Sequence, residues 1–164
     1  MHSKSVNLLI AALILTAALV VPAAAQKQVP FKGAIQAHET DTLQGGPPPT
    51  TASASGSGTG IGTLLGEFSL TYELTITLAD GTATGSAQLI AANGDSIFTT
   101  IVGSSEPSGT PGVLSITETN TVTGGTGRFA GATGSFITVR LVRVATGLTS
   151  GSFHGMITSP GATH

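Results

Sequence analysis

Three polar side chains occupy positions where apolar ones would be expected. Along residues 113–123, Leu114, Ile116 and Val122 alternate with polar neighbours, and Glu118 and Asn120 fall on their parity. Along residues 135–145, Arg140 falls on the parity of Phe136 and Val142. In an extended chain, parity decides the face. If the apolar faces turn inward, a carboxylate, an amide and a guanidinium turn inward with them. An unpaired interior charge is very costly, so Glu118 and Arg140 must then pair, with Asn120 as a hydrogen-bond neighbour. Such a pair could orient a small apolar ligand in a cavity. It could equally be structural, or the face could point outward.

Other constellations carry less chemistry. His38, Glu39 and Asp41 are the densest group of metal-ligand types. On a strand, Glu39 and Asp41 share a face and His38 opposes them, so the three do not converge. His154 could join them only through the fold. The expectation is a solvated strand end and no metal site. Gly58-Thr59-Gly60-Ile61-Gly62 and Gly124-Gly125-Thr126-Gly127 match neither dinucleotide nor phosphate-loop patterns, and neither opens a helix. No serine sits in a G-x-S-x-G elbow. No cofactor is implied.

The elements that position these residues are strands. Phe68, Leu70, Tyr72, Leu74, Ile76 and Leu78 alternate with Ser69, Thr71, Glu73, Thr75 and Thr77, which is a half-buried strand with threonine on the wet face. Similar runs place strands at 29–39, 51–60, 64–78, 82–91, 96–104, 113–123, 135–145 and 148–158. Asp80-Gly81 and Asn93-Gly94 signal two-residue hairpins, and Thr146-Gly147 a tight final turn. Residues 107–112 make a broader turn. Only the first connection, around Gly45-Gly46-Pro47-Pro48-Pro49, reads as long, and it could mark an open rim. Residues 52–62 alternate small residues with glycine, and read as a strand bent where bulky side chains cannot fit. Eight antiparallel strands with short turns predict an all-β, closed eight-stranded antiparallel barrel, which removes the sheet edges. A β-sandwich is the alternative.

Composition narrows the partners. The chain has 164 residues and no cysteine, so neither disulfides nor thiolate sites exist. Residues 1–25 read as a cleavable signal peptide. Lys4 precedes an apolar run from Val6 to Val21, Pro22 ends it, and Ala23-Ala24-Ala25 supplies the small-residue site before Gln26. That run is shorter than a membrane span prefers, and no second one follows. Residues 26–164 read as one secreted or periplasmic domain without a membrane span. They carry five basic and eight acidic side chains, a formal net charge of −3. Arg128, Arg140 and Arg143 are spread out, so the positive stripe that nucleic acid requires is missing.

The segment Val122-Thr123-Gly124-Gly125-Thr126-Gly127-Arg128-Phe129-Ala130-Gly131-Ala132-Thr133-Gly134 resembles the signature of a barrel superfamily. That superfamily contains plant allene oxide cyclases and dirigent proteins, and the likeness is greatest to bacterial secreted proteins with an allene-oxide-cyclase-like barrel. Pro30-Phe31-Lys32-Gly33 and residues 145–153 are similar to the same bacterial group. The resemblance implies an eight-stranded barrel whose glycine segment reverses the chain between the sixth and seventh strands, with Phe129 tucked under the barrel as a plug. It also implies cofactor-free chemistry, with an acidic residue and polar partners at one end of an apolar cavity near the first strand. The best local fit sets Gln36 at the essential carboxylate of the cyclases and His38 at an amide. The cysteine of some cyclases has no counterpart.

Three functions fit these observations: a binding module for a small hydrophobic molecule, a cofactor-free isomerase or dirigent-like protein, and a structural barrel that binds nothing inside. An inward acid in an open cavity favours the second. A core packed solid with Phe, Leu and Ile favours the third.

Overall fold

The computed structural model describes residues 27–159, so the expected signal peptide lies outside the described residues. Eight strands follow one another: β1 (Val29–Gln44), β2 (Thr51–Gly62), β3 (Gly66–Thr77), β4 (Thr82–Ala91), β5 (Ser96–Pro107), β6 (Val113–Gly125), β7 (Gly134–Arg143) and β8 (Leu148–Ile157). Each pairs antiparallel with the next, and β8 pairs with β1, closing the barrel. No sandwich forms. With every strand paired on both sides, no edge remains to template association.

Period two holds around the ring. Phe68, Leu70, Tyr72 and Leu74 of β3 are buried, while Ser69, Thr71, Glu73 and Thr75 face water. The outer face is mostly serine and threonine, and the interior is mostly apolar. A lipid-embedded barrel would show the reverse. Among the described residues, no helix is long and apolar enough to cross a membrane.

The small residues of β2 have a packing reason. Gly56, Gly60 and Gly62 point inward, and a Cβ on them would collide with the rings of Tyr72, Phe68 and Phe153 respectively. Removing side chains from one strand makes room for aromatic rings from the neighbouring β3 and from β8. In the lower half, Phe31, Phe136 and Phe153 pack with ring centroids 4.8 to 5.5 Å apart, and Phe68 joins at 6.0 Å. Phe129, in a short 3₁₀ turn (Gly127–Phe129), is fully buried beneath them in the same core. Gly127 enters that turn at φ +55°, against the Asp95 carboxylate. A side chain there would be strained and would have no room.

The connections differ from expectation. The hairpins at Asp80-Gly81, Asn93-Gly94 and Thr146-Gly147 span residues 78–81, 92–95 and 144–147 rather than two residues. Only their glycines take positive φ, so these are longer turns closed by one left-handed glycine and not the mirror-image type. β3 begins at Gly66, not at 64, because Leu64 turns the chain at φ +67°. The longest connection is residues 126–133, the glycine segment, rather than the first.

Candidate functional site

Inward parity is set by the apolar residues of each strand, and it carries polar ones into the upper barrel. On β6, Val122 is buried, and Asn120 and Glu118 follow on its face. On β7, Phe136 and Val142 are buried and flank Thr138 and Arg140. On β1, Phe31, Ile35 and Ala37 lead to Glu39. Glu39, Glu118 and Arg140 are 7%, 5% and 3% exposed.

Arg140 is the hub. Its Nη2 donates to Glu118 Oε1 at 2.8 Å, and its Nε donates to both Glu118 oxygens at 3.2 Å. Its Nη1 donates to Glu39 Oε2 at 2.9 Å and to Thr149 Oγ1 at 3.3 Å. The Tyr72 hydroxyl donates to the same Glu39 oxygen at 2.8 Å. The guanidinium carbon lies 5.1 Å from the Tyr72 ring centroid, within cation–π range. Five strands, β1, β3, β6, β7 and β8, therefore meet at one charge. Burial opposes that charge, but the hydrogen bonds and negative charge of Glu118, with Glu39 behind it, outweigh burial and raise the guanidinium pKa. Burial first, then Glu39, pushes the Tyr72 phenol well above its ordinary value, against the pull of Arg140.

The structure brings Glu118 and Arg140 together as a bidentate pair. Asn120 does not join them. It accepts from Thr99 Oγ1 at 3.2 Å and donates to Thr138 Oγ1 at 3.1 Å, a separate polar link across β5, β6 and β7. The cause is register: Arg140 stands opposite Ile116, one inward step from Glu118 but two from Asn120, which stands opposite Phe136.

Glu39 was expected at a solvated strand end, and it is buried. β1 continues to Gln44, so Glu39 lies inside the strand and not at its end. Its parity with Phe31, Ile35 and Ala37 was the available signal. Gln36 and His38, set by the family fit at the carboxylate and amide positions, lie exposed on the outer face. The carboxylate that β1 turns inward is Glu39. Asp41, next on that face, reaches the rim and is exposed. Among the described residues, no group of three or more His, Cys, Asp or Glu is arranged to hold a metal ion.

Space around the cluster is small. A cavity of about 30 Å³ is lined by Glu118, Asn120, Thr138 and Arg140 on one side and by Leu70, Phe136 and Phe153 on another. One water occupies about 30 Å³ of liquid, and a dry cavity that takes benzene is about 150 Å³. The free space beside the cluster is therefore close to that of one water and well below that of the benzene cavity. No protein-family model, no curated protein and no solved structure matches the chain.

Proposed function

We propose that this protein is an exported structural barrel whose interior is its stabilising core, with the Glu39–Arg140–Glu118 cluster acting as a strand lock. The observation that carries the proposal is the filled interior: aromatic rings occupy the lower half, a saturated ion cluster occupies the upper half, and about 30 Å³ separates them. Export rests on the Lys4–Ala25 leader pattern, and membership of the allene-oxide-cyclase-like barrel group rests on the glycine segment around Phe129. Mass spectrometry of the exported species should find Gln26 at its N-terminus, and an intact Met1 overturns the export arm. For the interior, thermal unfolding with benzene, indole and a fatty acid should give unchanged midpoints.

The second reading, a small-ligand barrel with cyclase-like or dirigent-like chemistry, is favoured by one observation. Two inward carboxylates and a tyrosine border an apolar lining. On this reading Glu118, Asn120 and Arg140 contact the ligand, and the core must widen to admit it. A saturable midpoint rise with any of the three probes, altered by Glu118→Gln, would establish it over the structural proposal.

A further inference from the structure

The geometry points to a binding site for a neutral glycan on the outer face of β1–β5, in a depression centred on His38, Gln88 and Phe98. This proposal goes beyond the interior. It begins with the aromatics. Phe31, Phe68, Tyr72, Phe129, Phe136 and Phe153 are all buried, whereas Phe98 points outward and is 36% exposed. It stands where the β5–β6 register shifts between Phe98 and Thr99. Irregularities of this kind re-aim side chains and are common beside functional sites.

The residues beside Phe98 form an ordered row. Direct cross-strand partners run His38 to Ser57, Ser57 to Thr71, Thr71 to Gln88 and Gln88 to Phe98. Five strands thus present an imidazole, two hydroxyls, an amide and a phenyl ring in one line. One step along the strands, Glu73 adds a carboxylate. The short side chains of β2 lower the middle of this line, and the result is an open depression of about 550 Å³ between His38 and Phe98. That volume falls within the roughly 300–1,000 Å³ of ligand clefts.

The chemistry selects the ligand class. Hydroxyls, an amide and an imidazole both donate and accept, which matches a ligand that does the same at every position. The negative face of a phenyl ring attracts the weakly positive C–H edges of a sugar ring, as it does other aromatic edges. No lysine or arginine lines the depression, and Glu73 is in it, so polyanions are repelled. The closed barrel offers no strand edge for an extended peptide.

Calorimetric titration of the full chain with four neutral hexasaccharides (cello-, chito-, manno- and laminarihexaose) tests the site. At least one should give saturable binding whose affinity is unchanged by added salt, because no charge pair forms. Phe98→Ala should weaken it about tenfold or more, as for an aromatic hot spot, in a variant that still gives the β-sheet circular dichroism and a cooperative melt. Gln88→Ala should weaken it by a smaller factor. Absence of saturable heat with all four sugars overturns the proposal. So does binding that survives Phe98→Ala, or binding confined to a sulfated oligosaccharide.

Discussion

The two halves of the barrel interior solve the same problem with opposite chemistry. Below, Phe31, Phe68, Phe136 and Phe153 fill the space with rings set against glycines. Above, one guanidinium holds two carboxylates, a threonine and, through Glu39, a tyrosine. The apolar half is graded: each ring contributes area and contacts, and losing one leaves the others in place. The ionic half is conditional. Its members are tolerable only together, because each is costly when buried without the rest. Its formal charges do not balance, two negative against one positive, so Arg140 cannot be spared.

The contrast is broken most directly at that hub. Arg140→Met should strand two buried carboxylates and destabilise the protein by about 3–5 kcal/mol or more, read as a lower urea midpoint with unchanged slope. Adding Glu39→Gln and Glu118→Gln to that variant should restore much of the loss, since the stranded charges are gone. If Arg140→Met alone costs less than about 1 kcal/mol, the two halves do not differ as argued.

Below the cluster, Phe136→Ala should cost about 3 kcal/mol, the usual figure for an aromatic core truncation. Here no second substitution that removes charge should rescue it. Thermal melts of the single variant, and of the same variant combined with Glu118→Gln, would check this.

Tyr72 joins the halves, with its ring in the core and its hydroxyl on Glu39. Tyr72→Phe should cost about 1.5 kcal/mol, a hydrogen bond to a charged group. Its phenol pKa is raised in the folded state, chiefly by burial. Above about pH 10 the unfolded chain therefore releases the tyrosine proton while the folded chain keeps it, and stability falls as pH rises. Tyr72 is the only tyrosine, so phenolate absorbance should appear only as the protein unfolds. An ordinary phenol titration in the folded protein would contradict the burial argument.

The smallest effect belongs to the rim. Although Asp41 is exposed, partial desolvation at the rim, with Glu39 nearby, raises its pKa, and Arg140 partly offsets this. A carboxyl whose folded pKa is raised loses stability as pH rises through that region. Asp41→Asn should therefore raise the melting midpoint slightly at neutral pH, and the gain should vanish below about pH 4. A lower midpoint at neutral pH would mean that Asp41 helps to balance Arg140 rather than burdening Glu39.

Much of this was legible beforehand. Alternation along β3 marked the buried face of Phe68, Leu70 and Leu74, and the glycine segment announced the reversal that buries Phe129. Parity placed Glu118 and Arg140 with apolar neighbours and required them to pair if that face turned inward, but it left open whether the face did turn inward. The turn lengths were not legible, because Asp-Gly and Asn-Gly suit both the two-residue turn and the longer turn ending in a left-handed glycine. Glu39 was missed because its burial depends on how far β1 runs past it, and that end is set by pairing with β2 out to Gln44 and Thr51.

By itself the sequence determined the period, the strand count and which residues of a strand share a face, because these are local consequences of an extended backbone. Only the tertiary structure decided which inward residues meet. Arg140 and Glu39 are 101 residues apart, on β7 and β1, and they touch because β8 pairs with both strands and closes the ring. Closure also sets the stagger between strands, which turned Asn120 away from Arg140 and towards Thr138, and which left about 30 Å³ where a ligand cavity could have been. Parity is a property of one strand, whereas contact across a barrel depends on all eight registers at once.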